Sequence, residues 1–85
     1  KFPYYLRILA KDQSGVMASI TKVLSSYKVS IESIIQKPSH KKSYAEIILI
    51  IHRIKESTLL SALKKIKGLK TVSSSVKLIR IEESL

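Results

Sequence analysis

Cysteine is missing from this chain, and with it go disulfides, thiolate metal sites and any cysteine nucleophile. Glycine and proline occur only twice each, against an apolar share of 45%, which excludes a disordered tail or flexible linker and argues for a folded domain. Long hydrophobic runs are also lacking. The best of them, Ala45 to Ile51, is broken by Glu46 and is far too short to span a bilayer, and no signal-peptide pattern opens the chain. Acidic residues are few, six against sixteen basic ones, for a net charge of +10. Such a balance invites a nucleic-acid partner. The basic residues are spread along the whole chain, however, with short clusters only at Lys41-Lys42 and at Lys64, Lys65, Lys67 and Lys70. The second cluster falls between apolar positions of an amphipathic pattern, as the solvated face of a helix requires.

Eighty-five residues make one domain, with no room for a catalytic and a regulatory domain together. A chain of this size buries about 60–65% of its unfolded surface, so it can fold alone but gains from a partner. It opens at Lys1 without methionine and is expected to be a segment of a longer protein, with residues 1–3 a linker remnant, 4–82 the domain and 83–85 a tail.

Hydrophobic periodicity predicts six elements. Tyr4 to Ala10 alternates as a strand whose face of Tyr4, Leu6, Ile8 and Ala10 is the better core candidate. Val16, Met17, Ile20, Val23, Leu24 and Tyr27 recur at helical spacing, so a helix is expected from about Gly15 to Tyr27. Ile31 to Lys37 reads as a strand that stops at Pro38. Its Ile34-Ile35 pair breaks alternation, as at a bulge or on an edge strand. Tyr44 to His52, apolar on both faces, is expected at the centre of the sheet. A second helix, Lys55 to Lys67, ends at Gly68, and a last strand runs from Val76 to Ile81. The order βαββαβ predicts a ferredoxin-like α+β sandwich: four antiparallel strands with two helices on one face. The other face is left showing Leu9, Ile48, Ile50 and one apolar set of the last strand, enough apolar surface to expect a partner.

The chemistry-bearing stretch is Asp12-Gln13-Ser14-Gly15-Val16-Met17, a strand-to-helix turn. Gly15 lets the backbone turn, Asp12 or Ser14 can accept from the first helix N–H groups, and those N–H groups with the helix dipole suit a small carboxylate. The chain's remaining candidates for catalysis are His40, His52, Asp12 and Glu32, whose spacing forms no nucleophile–base or paired-carboxylate constellation.

Tyr4-Tyr5-Leu6-Arg7, Lys11-Asp12-x-x-Gly15-Val16 and Val29-Ser30-Ile31-Glu32-Ser33-Ile34-Ile35-Gln36-Lys37 together resemble an ACT domain, most closely the C-terminal regulatory ACT domain of homoserine dehydrogenase. The resemblance covers nearly the whole chain. It implies a regulatory module that pairs with another ACT domain as a homodimer or higher oligomer and binds a small amino acid, threonine being favoured. By position, Asp12, Gly15, Val16 and Met17 match the binding turn, and Ile31, Glu32 and Ser33 match the adjoining strand. The family's turn usually has proline before the glycine, where this chain has Ser14. The same resemblance implies a cytoplasmic parent that reduces aspartate semialdehyde to homoserine with NAD(P)H on the way to threonine and methionine. The segment itself is expected to be no enzyme and to hold no cofactor or metal, since the parent's glycine-rich nucleotide motif is absent from it. Two other readings stay open: the ACT domain of a different amino-acid biosynthetic enzyme, and a ferredoxin-like nucleic-acid-binding domain. The third strand's single tyrosine and lack of glycine disfavour the latter.

Overall fold

A computed structural model describes residues 1–82, apart from the side chains of Ser74 and Ser75. The expected tail, residues 83–85, lies outside the described residues. The elements are β1 (Phe2–Lys11), α1 (Val16–Ser26), β2 (Ile31–Pro38), β3 (Tyr44–Ile54), α2 (Glu56–Lys67) and β4 (Val72–Arg80). They form one antiparallel sheet in the order β2-β3-β1-β4, the split βαβ sandwich that the pattern predicts. Among the described residues no helix is long and apolar enough to cross a membrane.

Alternation decides the core. Tyr4, Leu6, Ile8 and Ala10 of β1 and Ala45, Ile47, Leu49 and Ile51 of β3 all point to the helix side and are buried. Val16, Ile20 and Leu24 of α1 and Leu59, Ala62, Leu63 and Ile66 of α2 close over them. Each large aliphatic side chain so buried contributes about 1.5–3 kcal/mol relative to leaving it in water. The lysines Lys64, Lys65 and Lys67 are exposed, and their place in the last turn of α2 also suits its dipole. Among the described residues Tyr4 is the one core residue with a polar tip. Its hydroxyl donates to Glu56 Oε1 at 3.2 Å, and burial, then this carboxylate partner, raises the phenol above its usual range. Helix α1 ends on Lys28 in the left-handed region (φ 58°). The N–H of Val29 donates to the Leu24 carbonyl and that of Lys28 to Ser25, the paired bonds of a Schellman end.

Three boundaries differ from the sequence expectation by two residues or more. Strand β1 starts at Phe2, so the supposed linker residues Phe2 and Pro3 belong to the sheet: Phe2 pairs with Ile54, and the Pro3 carbonyl accepts from Ile81 N–H at 2.9 Å. Proline is tolerated there because the first residues of a strand at a bulge need no ladder donor. Strand β4 starts at Val72 rather than Val76. Ala10 pairs with Val72 but Ile8 with Val76, so a bulge through Ser73 to Ser75 hides the alternation. Strand β3 runs on to Ile54.

The face without helices presents Tyr5, Leu9, Ile48 and Ile50, half-buried, flanked by Ile35 and Ile79 at 55% exposure each. The last strand's contribution to it is thus the Ile79 set, since Ile79 lies opposite Tyr5.

Candidate functional site

The turn after β1 is held from both sides. The N–H of Lys11 donates to the Thr71 carbonyl at 2.8 Å and that of Asp12 to the Ser43 carbonyl at 2.9 Å, so the strand's last bonds pass to the loops before β4 and β3. Gly15 then takes φ 86°, ψ −11° and forms the N-cap of α1. A glycine is needed there because an L side chain rarely adopts that conformation. Neither Asp12 nor Ser14 caps the helix, contrary to the sequence expectation: the cap is Gly15, without a side-chain hydrogen bond. Asp12 is turned across the sheet instead, where its Oδ1 accepts from Gln36 Nε2 at 3.1 Å. The first-turn N–H groups, Met17 and Ala18 among them, have no intrahelical acceptor and face outward with the positive end of the dipole. Val16 and Met17 themselves anchor the turn, Val16 in the core and Met17 packed against it. Beside the turn Asp12, Gln36, Lys37, Pro38 and Ala45 line a concavity of about 220 Å³.

Ile31, Glu32 and Ser33 sit elsewhere. Strand β2 runs parallel to β1 with β3 between them, so Ile31 is level with Ile51 and Tyr4, whereas Pro38 is level with Ala45 and Ala10. At about 3.3 Å per residue the start of β2 is roughly 20 Å from the turn. One copy therefore brings Asp12, Gly15, Val16 and Met17 together but does not bring Ile31, Glu32 and Ser33 to them. Ile31 packs on the helix side against the core. Ser33 lies on the other face, opposite Ile50, and Glu32 is the extra residue of a bulge, its Oε1 3.7 Å from His52 Nδ1. The residue that does join Asp12 is Gln36, which the sequence reading missed. Counting alternate residues back from Pro38, whose partner Ala45 is a core position, gives Gln36 the helix-side face beside the end of β1.

Neither histidine belongs to the turn. His40 is exposed in the loop before β3, and His52 Nδ1 lies 3.7 Å from Glu32 Oε1. Among the described residues no three His, Cys, Asp or Glu side chains converge as a metal site.

Comparison with known proteins agrees with this fold. The model of the ACT domain family matches residues 4–71. The homoserine dehydrogenase of Pseudomonas aeruginosa is 40% identical over 81 residues, 94% of this chain and 19% of that protein, and the one from Neisseria gonorrhoeae is 38% identical over 79 residues, 93% and 18%. In the crystal structure of a homoserine dehydrogenase from Thiobacillus denitrificans, 18% of the chain superposes on 96% of this one with a TM-score of 0.84 and 35% identity. The regulatory subunit of aspartate kinase from Thermus thermophilus shares the fold, with a TM-score of 0.74 at 16% identity. The chain spans about a fifth of the length of the curated relatives it matches.

Proposed function

The chain belongs to the ACT domain family, and from that premise we propose that it is the regulatory module of a homoserine dehydrogenase, sensing a small amino acid, threonine first, at an interface between two copies. The observation that carries this reading is the position of the two halves of the site at opposite ends of β2, a strand with a free edge. Isologous pairing of two such edges about a two-fold axis runs the strands antiparallel. Each turn, Asp12 to Met17, then meets the start of the partner's β2, Ile31 to Ser33. A site that is split within one copy is completed twice in the pair. Exposed Ile34 and Ile35 lie at the middle of the edge, where the axis would pass, and give the pairing an apolar centre.

The division of labour follows from the charges. The effector's carboxylate binds the N–H groups at the start of α1, worth about 0.3–1 kcal/mol from the dipole and up to about 2 when partly buried. Its ammonium goes to Asp12 or to a carbonyl of the partner strand. After the cost of association such terms give a dissociation constant of very roughly 10 μM to 1 mM. Reduction of aspartate semialdehyde with NAD(P)H, in the cytoplasm, is assigned to the rest of the parent. This chain's two glycines, Gly15 and Gly68, form no nucleotide-binding motif.

An amide NMR titration of the 85-residue chain with L-threonine, with isoleucine, methionine, serine and lysine as controls, tests the reading. Saturable shifts centred on Gly15 to Ala18 and Ile31 to Ser33 with threonine alone are expected, together with a dimer mass in sedimentation. Binding at the turn that survives Gly15→Val in a folded chain refutes it.

A further inference from the structure

Two bulges lie side by side at the end of the sheet away from the turn. On β2 the pairing steps from Ile31↔Ile51 to Ser33↔Ile50, which leaves Glu32 unpaired. On β3 it steps from Phe2↔Ile54 to Tyr4↔Ile51, which sets His52 and Arg53 together against Pro3. Strict alternation sends consecutive residues to opposite faces, whereas a bulge re-aims one of them. Here His52 and Arg53 both line one concavity of about 450 Å³, together with Glu32, Pro3, Ile50 and Ile81. Its volume falls in the range of about 300–1,000 Å³ usual for small-molecule sites. Ile81 is tied into the rim by its hydrogen bond to Pro3, and Glu32 Oε1 lies 3.7 Å from His52 Nδ1.

We propose that this concavity is a second amino-acid site, separate from the turn, for a zwitterion with an apolar side chain about the size of leucine. Glu32 receives the ammonium. Arg53, whose guanidinium already takes part in an interaction within the chain, receives the carboxylate through a charge-assisted hydrogen bond. Pro3, Ile50 and Ile81 form the apolar floor for the side chain. One negative and one positive group select a ligand carrying both charges. A simple carboxylate or amine satisfies one pole and leaves the other facing a like charge. The site sits on the helix-free face and its lining residues come from a single copy, although Glu32 also belongs to the β2 segment that edge pairing would bring to the partner's turn.

The test titrates the 85-residue chain, followed by amide NMR, with L-leucine, with 4-methylpentanoate, which lacks the ammonium, and with 3-methylbutan-1-amine, which lacks the carboxylate. Leucine is expected to give saturable shifts at Glu32, Ile50, His52, Arg53 and Ile81, with either single-pole analogue at least about tenfold weaker, the loss that one charged hydrogen-bonded partner typically brings. Glu32→Gln and Arg53→Gln, both at exposed positions, each weaken leucine binding while leaving the fold intact. Gly15→Val leaves it unchanged. Absence of saturable shifts at these amides up to about 20 mM leucine, a concentration that fills any site of millimolar affinity, overturns the proposal. So does 4-methylpentanoate binding as well as leucine. The threonine response at Gly15 to Ala18 is read in the same spectra by different amides, so either site can fail alone.

Discussion

Replacing Gly15 by alanine isolates the backbone of the turn from everything packed around it. A Cβ built on Gly15 meets no atom within 4 Å, so the substitution brings no clash and removes no contact. What remains is conformational. At φ 86° an L residue carries a cost of about 1–2 kcal/mol for the left-handed region. Against this, alanine restricts the unfolded chain more than glycine does, worth about 0.4–1 kcal/mol in favour of folding. The net expectation is a loss of roughly 1 kcal/mol, which in a domain of this length lowers the melting temperature by roughly 4–8 °C. Asparagine visits the left-handed region far more readily, so Gly15→Asn should lose less than Gly15→Ala. Urea and thermal unfolding followed by far-ultraviolet circular dichroism measure both, with an unchanged urea slope showing that only the folded turn is affected. If alanine is neutral or stabilising, or if asparagine costs more than alanine, the strained-turn account of Gly15 is wrong.

Three further outcomes follow from the structure. Burial and the Glu56 carboxylate make Tyr4 hold its proton more tightly in the fold than in the unfolded chain, where a tyrosine ionises near pH 10. Above that pH the native state binds more protons than the unfolded one, so stability should fall as pH rises, and Tyr4→Phe should flatten part of the fall in urea midpoints between pH 7 and 11. At neutral pH the same variant loses the bond to Glu56, about 0.5–1.5 kcal/mol. Leu49→Ala, at a fully buried position in the central strand, should cost about 2–5 kcal/mol in denaturant unfolding, and a loss under 1 kcal/mol contradicts the core assignment. Ile34→Lys places a charge in the middle of the β2 edge and should turn a dimer into a monomer in sedimentation with an unchanged circular dichroism spectrum; an unaltered mass refutes edge pairing.

How much of this was readable beforehand depended on where alternation survives. Tyr4, Leu6, Ile8 and Ala10 against Ala45, Ile47, Leu49 and Ile51 announce two strands with one shared buried face, and the doubly apolar β3 its central place. The Ile34-Ile35 pair marked β2 as irregular, and it is the edge. Bulges defeated the rest. The one at Ser73 to Ser75 concealed the start of β4, and the one at His52-Arg53 put two consecutive residues on one concavity that period-two counting separates. The turn was legible through Gly15, whose backbone angle demands glycine, but the role of Asp12 was not. Its partner Gln36 is 24 positions away, and only strand register brings them together. Register also separates Ile31 to Ser33 from the turn, a distance invisible in a local motif.

The same register leaves β2 with an unusual share in the domain's cohesion. Its backbone ladder runs to β3 alone, and Ile31 is the one of its eight residues that is not exposed. Detaching it uncovers little apolar surface and leaves the β4-β1-β3 ladder and both helices in place. The strand therefore forms a separate opening unit, and its amides should exchange with solvent through local detachment at a free energy below that of global unfolding, while those of β1 wait for the whole domain to open. Anything that binds along this edge raises that local free energy first, so protection of the β2 amides is the most sensitive gauge of what the domain has bound.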